Sequence, residues 1–196
     1  MAVVLVDAGG TNIGSVRYAL QRLGTDAALT SDADAIRAAS HVILPGVGAA
    51  GPGMRRLREA GLVDVLRGLT QPVLGVCLGM QLLCERSEEG DTECLGVIPA
   101  PVRHFAEAPG LRVPHMGWNR LRVTTTHPLV ADLRDGDSAY FVHSYAVPTG
   151  AWTIAESDHG GAFAAIVAHG NFMGMQFHPE RSADVGARLL RNFLLS

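Results

Sequence analysis

Short apolar runs alternate with segments of helical periodicity through the first half of the chain, and this alternation constrains the fold more than any other feature. Ala2 to Val6 and Pro72 to Val76 are continuously apolar, as expected of strands buried on both faces. Thr25 to Thr30 and His41 to Leu44 read as two more strands. Between them, Ile13 to Leu23 places Ile13, Val16, Leu20 and Leu23 at helical spacing and stops at Gly24. Asp32 to Ala39, Met54 to Leu69 and Leu78 to Glu85 are also expected to be helical. This order predicts an α/β fold, an open and mostly parallel central sheet flanked by helices. Such sheets bind ligands beyond the C-terminal ends of their strands. The turns at Asp7 to Asn12, Pro45 to Gly48 and Cys77 all fall on that edge.

The second half changes character. Val97 to Phe105, Asn119 to Val123, Ala139 to Val142, Trp152 to Ala155, Phe163 to Val167 and Phe172 to Phe177 read as strands separated by turns. Antiparallel additions to the sheet are expected there. Ser182 to Leu195 is a closing amphipathic helix, and the charged stretch Glu85 to Glu93 is expected to be a surface loop. A length of 196 residues suits a single domain over 1–196, since one domain takes about 100–200 residues.

Apolar residues make up 47% of the chain and charged residues 18%, which excludes a disordered or coiled-coil chain. The net charge of −3 speaks against a dedicated nucleic-acid binder. All 16 basic residues are arginine, so Schiff-base chemistry and a lysine-bearing phosphate loop are excluded. Cys77, Cys84 and Cys94 form neither a disulfide framework nor a zinc site. A reducing, cytoplasmic setting is expected, with no signal peptide, no membrane span, no metal and no cofactor.

The strongest chemical feature is Gly75-Val76-Cys77-Leu78-Gly79, between an apolar strand and a helix. It has the layout of a nucleophile elbow with cysteine in the serine position. The glycines are expected to permit the sharp turn. A helix N-terminus there offers unpaired N–H groups and positive potential to an anionic sulfur. The Leu78 N–H is placed to hold an oxyanion. A purely structural cysteine would need neither flanking glycine; Cys84, which has none, is expected to be core, and Cys94 incidental.

A cysteine nucleophile needs a base. Of eight histidines, His178 stands out in Gln176-Phe177-His178-Pro179-Glu180. In extended chain, residues two apart share a face, so Glu180 can reach the His178 imidazole and complete a triad. Gly46-Val47-Gly48-Ala49-Ala50-Gly51 matches the dinucleotide fingerprint, but it follows the third strand and is led by Pro45. The alternative role of this loop is to bring backbone N–H groups to a ligand beside Cys77.

Leu44 to Gly48, Pro72 to Gln81 and Gln176 to Ser182, in this order, resemble the class I glutamine amidotransferases. With Pro114-His115-Met116-Gly117-Trp118-Asn119 and Tyr140-Phe141-Val142-His143-Ser144-Tyr145, the chain looks, more narrowly, like the glutaminase subunits of imidazole glycerol phosphate synthase, in histidine biosynthesis. The resemblance implies the class I glutamine amidotransferase fold. It also implies Cys77 as nucleophile, His178 as general base and acid, and Glu180 as orienter. Oxyanion and glutamine contacts are implied for Val47, Gly48, Leu78 and Gln81. The implied partner is a (β/α)8-barrel cyclase subunit that consumes the ammonia, facing Asn12, Trp118, Tyr140 and Arg181. The chain departs from many relatives in its first loop and in carrying Ala50 where a bulky aromatic is common.

Other readings stay open at the level of sequence. A vitamin B6 glutaminase would show Pro-Gly-Gly at the oxyanion loop and a small residue after the cysteine, whereas this chain has Pro45-Gly46-Val47-Gly48 and Leu78. A cysteine peptidase or γ-glutamyl hydrolase would cleave peptides. A non-catalytic nucleotide-binding α/β module would bind NAD and leave Cys77 unreactive.

Overall fold

The structure, a computed structural model, describes residues 2–7, 13–106, 108–134 and 136–196. The first half alternates as its periodicity predicts: β1 (Val3–Val6), α1 (Ile13–Arg22), β2 (Ala27–Thr30), α2 (Ala33–Ala38), β3 (His41–Gly46), α3 (Ala50–Glu59), α4 (Val63–Arg67), β4 (Val73–Cys77) and α5 (Leu78–Leu83). The second half contains β5 (Arg86–Ser87), β6 (Thr92–Glu93), β7 (Pro101–His104), β8 (His115–Arg120), β9 (Arg122–Val123) and β10 (Ser138–His143). It ends with β11 (Tyr145–Pro148), β12 (Thr153–Asp158), β13 (Ala162–His169), β14 (Phe172–Met175) and α6 (Ala183–Leu194).

The sheet runs β2-β1-β3-β4-β14-β13-β11-β7-β5-β6, with β12 on β13 and β9 on β12. From β2 to β14 all pairings are parallel, and β13 then runs antiparallel to β14. β8 and β10 form a separate antiparallel ribbon. β1, β3, β4 and β14 are buried on both sides, as their lack of alternation requires, whereas the edge strand β2 buries only Ala27. In β1, Val4 and Val6 join one core while Val3 and Leu5 join the other. The first core packs Ile36, Met54, Leu57 and Leu66 from α2, α3 and α4. The second packs Val16 and Leu20 of α1 and Leu189, Leu190 and Phe193 of α6. Each such fully buried side chain contributes about 1.5–3 kcal/mol.

Four expectations need correction. Met54 to Leu69 is not one helix: Gly61, at φ +67°, breaks it between α3 and α4. Apolar spacing continues across the break, so periodicity alone does not reveal it. Glu85 to Glu93 is not a plain loop, because Arg86 and Ser87 pair with Glu93 and Thr92 and also with β7. Cys94, beside it, is buried in the first core together with Cys84. Val97 to Phe105 contributes only the four residues of β7.

One register positions the site. Met175 of β14 pairs with Val76 of β4, and Gly46 of β3 pairs with Cys77. Three parallel strands therefore end together and deliver the Pro45–Gly48 segment, the Cys77 turn and the Gln176–Glu180 segment to one edge.

Candidate active site

Cys77 ends β4 and begins α5 with φ +54° and ψ −112°, a conformation costly for a residue with a side chain. The cysteine itself takes the left-handed turn. The flanking glycines serve close approach instead: a Cβ on Gly75 would lie 2.6 Å from the Gly79 carbonyl, and one on Gly79 would lie 1.8 Å from the Leu44 carbonyl oxygen. The sulfur opens into a cavity of about 360 Å³ lined by Val47, Gly48, Leu78, Gln81, His143 and His178 among others. The residues expected to make oxyanion and glutamine contacts thus share one cavity with Cys77 and His178. The dinucleotide fingerprint dissolves here, since Gly46 belongs to β3 and Gly51 to α3.

His178 Nδ1 lies 2.9 Å from Glu180 Oε1. This contact is not made through strand alternation. Pro179 starts a short 3₁₀ turn, Pro179–Arg181, which curls the carboxylate back under the imidazole. The Ser182 hydroxyl holds the turn, donating to the His178 carbonyl at 2.7 Å and accepting from the Tyr140 N–H at 3.0 Å. Burial disfavours the charged imidazolium, but hydrogen bonds and charge from Cys77 and Glu180 outweigh it and push His178 up to about 10. These contacts favour the protonated imidazole.

Two residues near the cavity or the sulfur carry no role from sequence. Glu89, in the 3₁₀ turn Glu89–Asp91, accepts the Ala50 N–H at 2.7 Å and lines the cavity. Its stretch resembles a solvated charge run, and only the hairpin fold brings it inward. Gln176 is fully buried and places Nε2 3.9 Å from Cys77 Sγ. Gln81 donates from Nε2 to the Tyr145 carbonyl at 3.0 Å and to Gln176 Oε1 at 2.9 Å.

His143 also lines the cavity, in the neutral form. Burial pushes it down to about 3, helped by nearby histidines including His178, and burial beside His159 pushes His115 down to about 4. Both should titrate near 6.5 once unfolded. Between pH 7 and 5 the unfolded chain then binds protons that the native chain refuses, and stability falls by about 2–4 kcal/mol. His178 has the opposite sign. Its contribution is complete below pH 6.5 and is lost as pH rises through about 10. Melting temperature should drop by roughly 5–10 °C from pH 7 to pH 5, and again toward pH 10. A flat calorimetric profile over pH 5–7, above the carboxylate range, would show that the native histidines take up protons freely.

Of the residues expected to face a partner, Asn12 lies outside the described residues. Trp118 and Tyr140 pair across the β8–β10 ribbon with ring centroids 6.1 Å apart, and the Arg181 guanidinium lies 4.7 Å above the Tyr140 ring. Trp118 is 58% exposed and Met116, on the same face of β8, 63%. The Tyr140 carbonyl accepts the His178 N–H at 3.0 Å, so this surface cluster is one hydrogen bond from the site.

A cysteine elbow and a buried His–Glu pair beside a cavity at the edge of a mixed sheet make an arrangement that suits a glutaminase-type active site. The chain belongs to the class-I glutamine amidotransferase family, whose description, "Glutamine amidotransferase class-I", matches residues 4–196. It is 60% identical to "Imidazole glycerol phosphate synthase subunit HisH" of Xanthomonas euvesicatoria pv. vesicatoria (strain 85-10), over 98% of this chain and 96% of that protein. The protein of the same name from Xylella fastidiosa (strain Temecula1 / ATCC 700964) is 58% identical over the same shares. Among solved structures, one described as a glutamine amidotransferase superposes with a TM-score of 0.78 at 22% identity, covering 100% of this chain and 98% of that one. The structure of PurLQS from Thermotoga maritima gives 0.72 at 18% identity, covering 99% of this chain and 97% of that one. These two likenesses speak to the fold alone.

Proposed function

We propose that the chain, as one glutamine amidotransferase domain, is the glutaminase subunit of an imidazole glycerol phosphate synthase. It releases ammonia from glutamine and passes it to a (β/α)8-barrel cyclase subunit in histidine biosynthesis. The observation that carries this reading is the cavity shared by Cys77 and His178, with Glu180 hydrogen-bonded to the imidazole. The Cys77 sulfur attacks the side-chain amide carbon of glutamine. The oxyanion is held by the Leu78 N–H and by N–H groups of the Val47–Gly48 segment. Protonated His178 gives its proton to the leaving nitrogen, so ammonia departs and a γ-glutamyl thioester remains. Acylation removes the Cys77 charge and hydrogen bond that hold the proton on His178. The imidazole can then act as base, take a proton from water and complete hydrolysis to glutamate and free thiolate. The Glu89 carboxylate, at the cavity wall, complements the α-ammonium of the substrate.

The Trp118, Tyr140 and Arg181 cluster is the proposed partner face, where aromatic and arginine side chains make strong anchors. Three free, buried cysteines suit a reducing cytoplasm, and among the described residues no helix is long and apolar enough to cross a membrane. Glutamate release by the chain alone, then with the cyclase barrel and its ribonucleotide ligand, tests the reading. A rise of at least about 100-fold on adding both is expected if one oxyanion donor is aligned only in the complex. Equal turnover in both settings would remove the partner coupling and leave the glutaminase chemistry.

A further inference from the structure

The buried amides of Gln81 and Gln176 stand between the cavity wall and the reacting sulfur. An amide has the same shape with oxygen and nitrogen exchanged, so the orientation of each needs a physical reason. The Tyr145 carbonyl supplies it, because a carbonyl only accepts. Gln81 therefore turns nitrogen toward Tyr145, 3.0 Å away, and the same nitrogen meets Gln176 at 2.9 Å. Gln176 must answer with oxygen, which leaves its NH₂ end facing the Cys77 sulfur at 3.9 Å. Turned round, it would set N–H against N–H and a carbonyl oxygen against a sulfur lone pair. The Tyr145 carbonyl also accepts from His143 Nδ1 at 2.8 Å, so His143 Nε2 accepts from His115 Nδ1 at 3.0 Å. His115 Nε2 then accepts from Asn119 Nδ2 at 3.1 Å. The polarity of every bond from Asn119 to Cys77 follows from one carbonyl.

We propose that Gln176 takes part in the reaction by donating an amide N–H to the Cys77 sulfur, with Gln81 as the positioning residue that keeps that donor turned inward. This rests on the reading of Cys77 as nucleophile. The donor acts at two moments. Before attack it holds the sulfur, together with His178, in a single orientation toward the cavity. During hydrolysis the carbon–sulfur bond breaks and its electron pair returns to sulfur, and the same N–H stabilises the departing thiolate. Gln176 does not line the cavity, so its loss should change turnover rather than substrate affinity.

Gln176→Glu and Gln176→Met separate donation from mere packing. Glutamate keeps the oxygen that receives Gln81 and has no hydrogen to give the sulfur once ionised, so this variant is read above the break in its pH–rate profile that marks ionisation of the buried carboxyl. Methionine fills the space with neither. Glutaminase kinetics of the full chain with its cyclase partner should show kcat lowered about 10- to 100-fold in both variants, with KM within about twofold. Alkylation of Cys77 by iodoacetamide, followed by mass spectrometry on the full chain, should slow in parallel. Wild-type kcat in Gln176→Glu would overturn the inference, and so would an intact alkylation rate with a raised KM. If Gln176→Met does not fold, Gln176→Glu alone decides. Glutamate release that survives in Cys77→Ala would instead overturn the underlying reading of the nucleophile.

Discussion

Cys77→Ala is expected to lower glutamate production by at least about 10⁴-fold, because removing the nucleophile of a triad leaves only binding and oxyanion stabilisation. Cys84 and Cys94 cannot substitute. Both thiols are buried away from the cavity, and burial pushes Cys94 up to about 11 and Cys84 higher still. The fold should survive, because Cys77 contributes one small side chain at the cavity wall. Its backbone makes a sharper prediction. A φ of +54° costs a residue with a Cβ about 1–3 kcal/mol. Cys77→Gly should therefore lose the same activity while matching or exceeding the wild type in urea unfolding, with strain relief offset in part by glycine's unfolded-state entropy. Loss of activity without loss of stability would mark position 77 as a site of chemistry. A clear destabilisation of Cys77→Gly would show that the turn is not strained. Residual turnover above about one percent in Cys77→Ala would remove the thioester route.

Legibility in the sequence follows the range of the interactions involved. β1, β3 and β4 are readable because a strand buried on both faces leaves an uninterrupted apolar run. The elbow is readable because its strand, turn and helix are contiguous. The pairing of His178 with Glu180 is also legible, although strand alternation suggests it and a 3₁₀ turn makes it. What escapes depends on partners distant in the chain. Nothing local announces that β14 lies against β4, 99 residues away at the Gln176–Cys77 contact. Gln176 is visible only as a letter in a motif, since its orientation is set by Gln81 and Tyr145. Glu89 is hidden for the opposite reason. Its charged neighbours imitate a solvated loop, and only the two-residue pairings of β5 and β6 turn it inward. The glycines of the elbow are conspicuous in the sequence, where they suggest conformational freedom, but at positions 75 and 79 their role is proximity.

Gly79→Ala carries the largest expected effect on stability. The added methyl would sit 1.8 Å from the Leu44 carbonyl oxygen, 2.8 Å from its carbon and 3.4 Å from its side chain. Two of these three atoms are backbone of β3, so no rotamer change can relieve the clash. Either α5 retreats from the sheet or β3 bends, and overpacking of this kind against a fixed wall should cost more than about 4 kcal/mol. Total stability for a domain is only about 5–15 kcal/mol. Gly24→Ala is the control, since Gly24 needs a positive φ of +79° but has open space around its missing Cβ. That variant should lose only about 1 kcal/mol. Urea midpoints measured side by side would separate crowding from conformation, and a Gly79→Ala midpoint equal to wild type would show that α5 slides freely on the sheet. The crowding also shapes the site. A Cβ on Gly46 would lie 2.7 Å from the Gly79 nitrogen and 2.9 Å from the Leu78 Cβ, so the Val47–Gly48 segment and the Leu78 N–H are brought together by two glycines in contact. A chain that restored side chains at either position would have to move apart the two backbone segments proposed to hold the oxyanion.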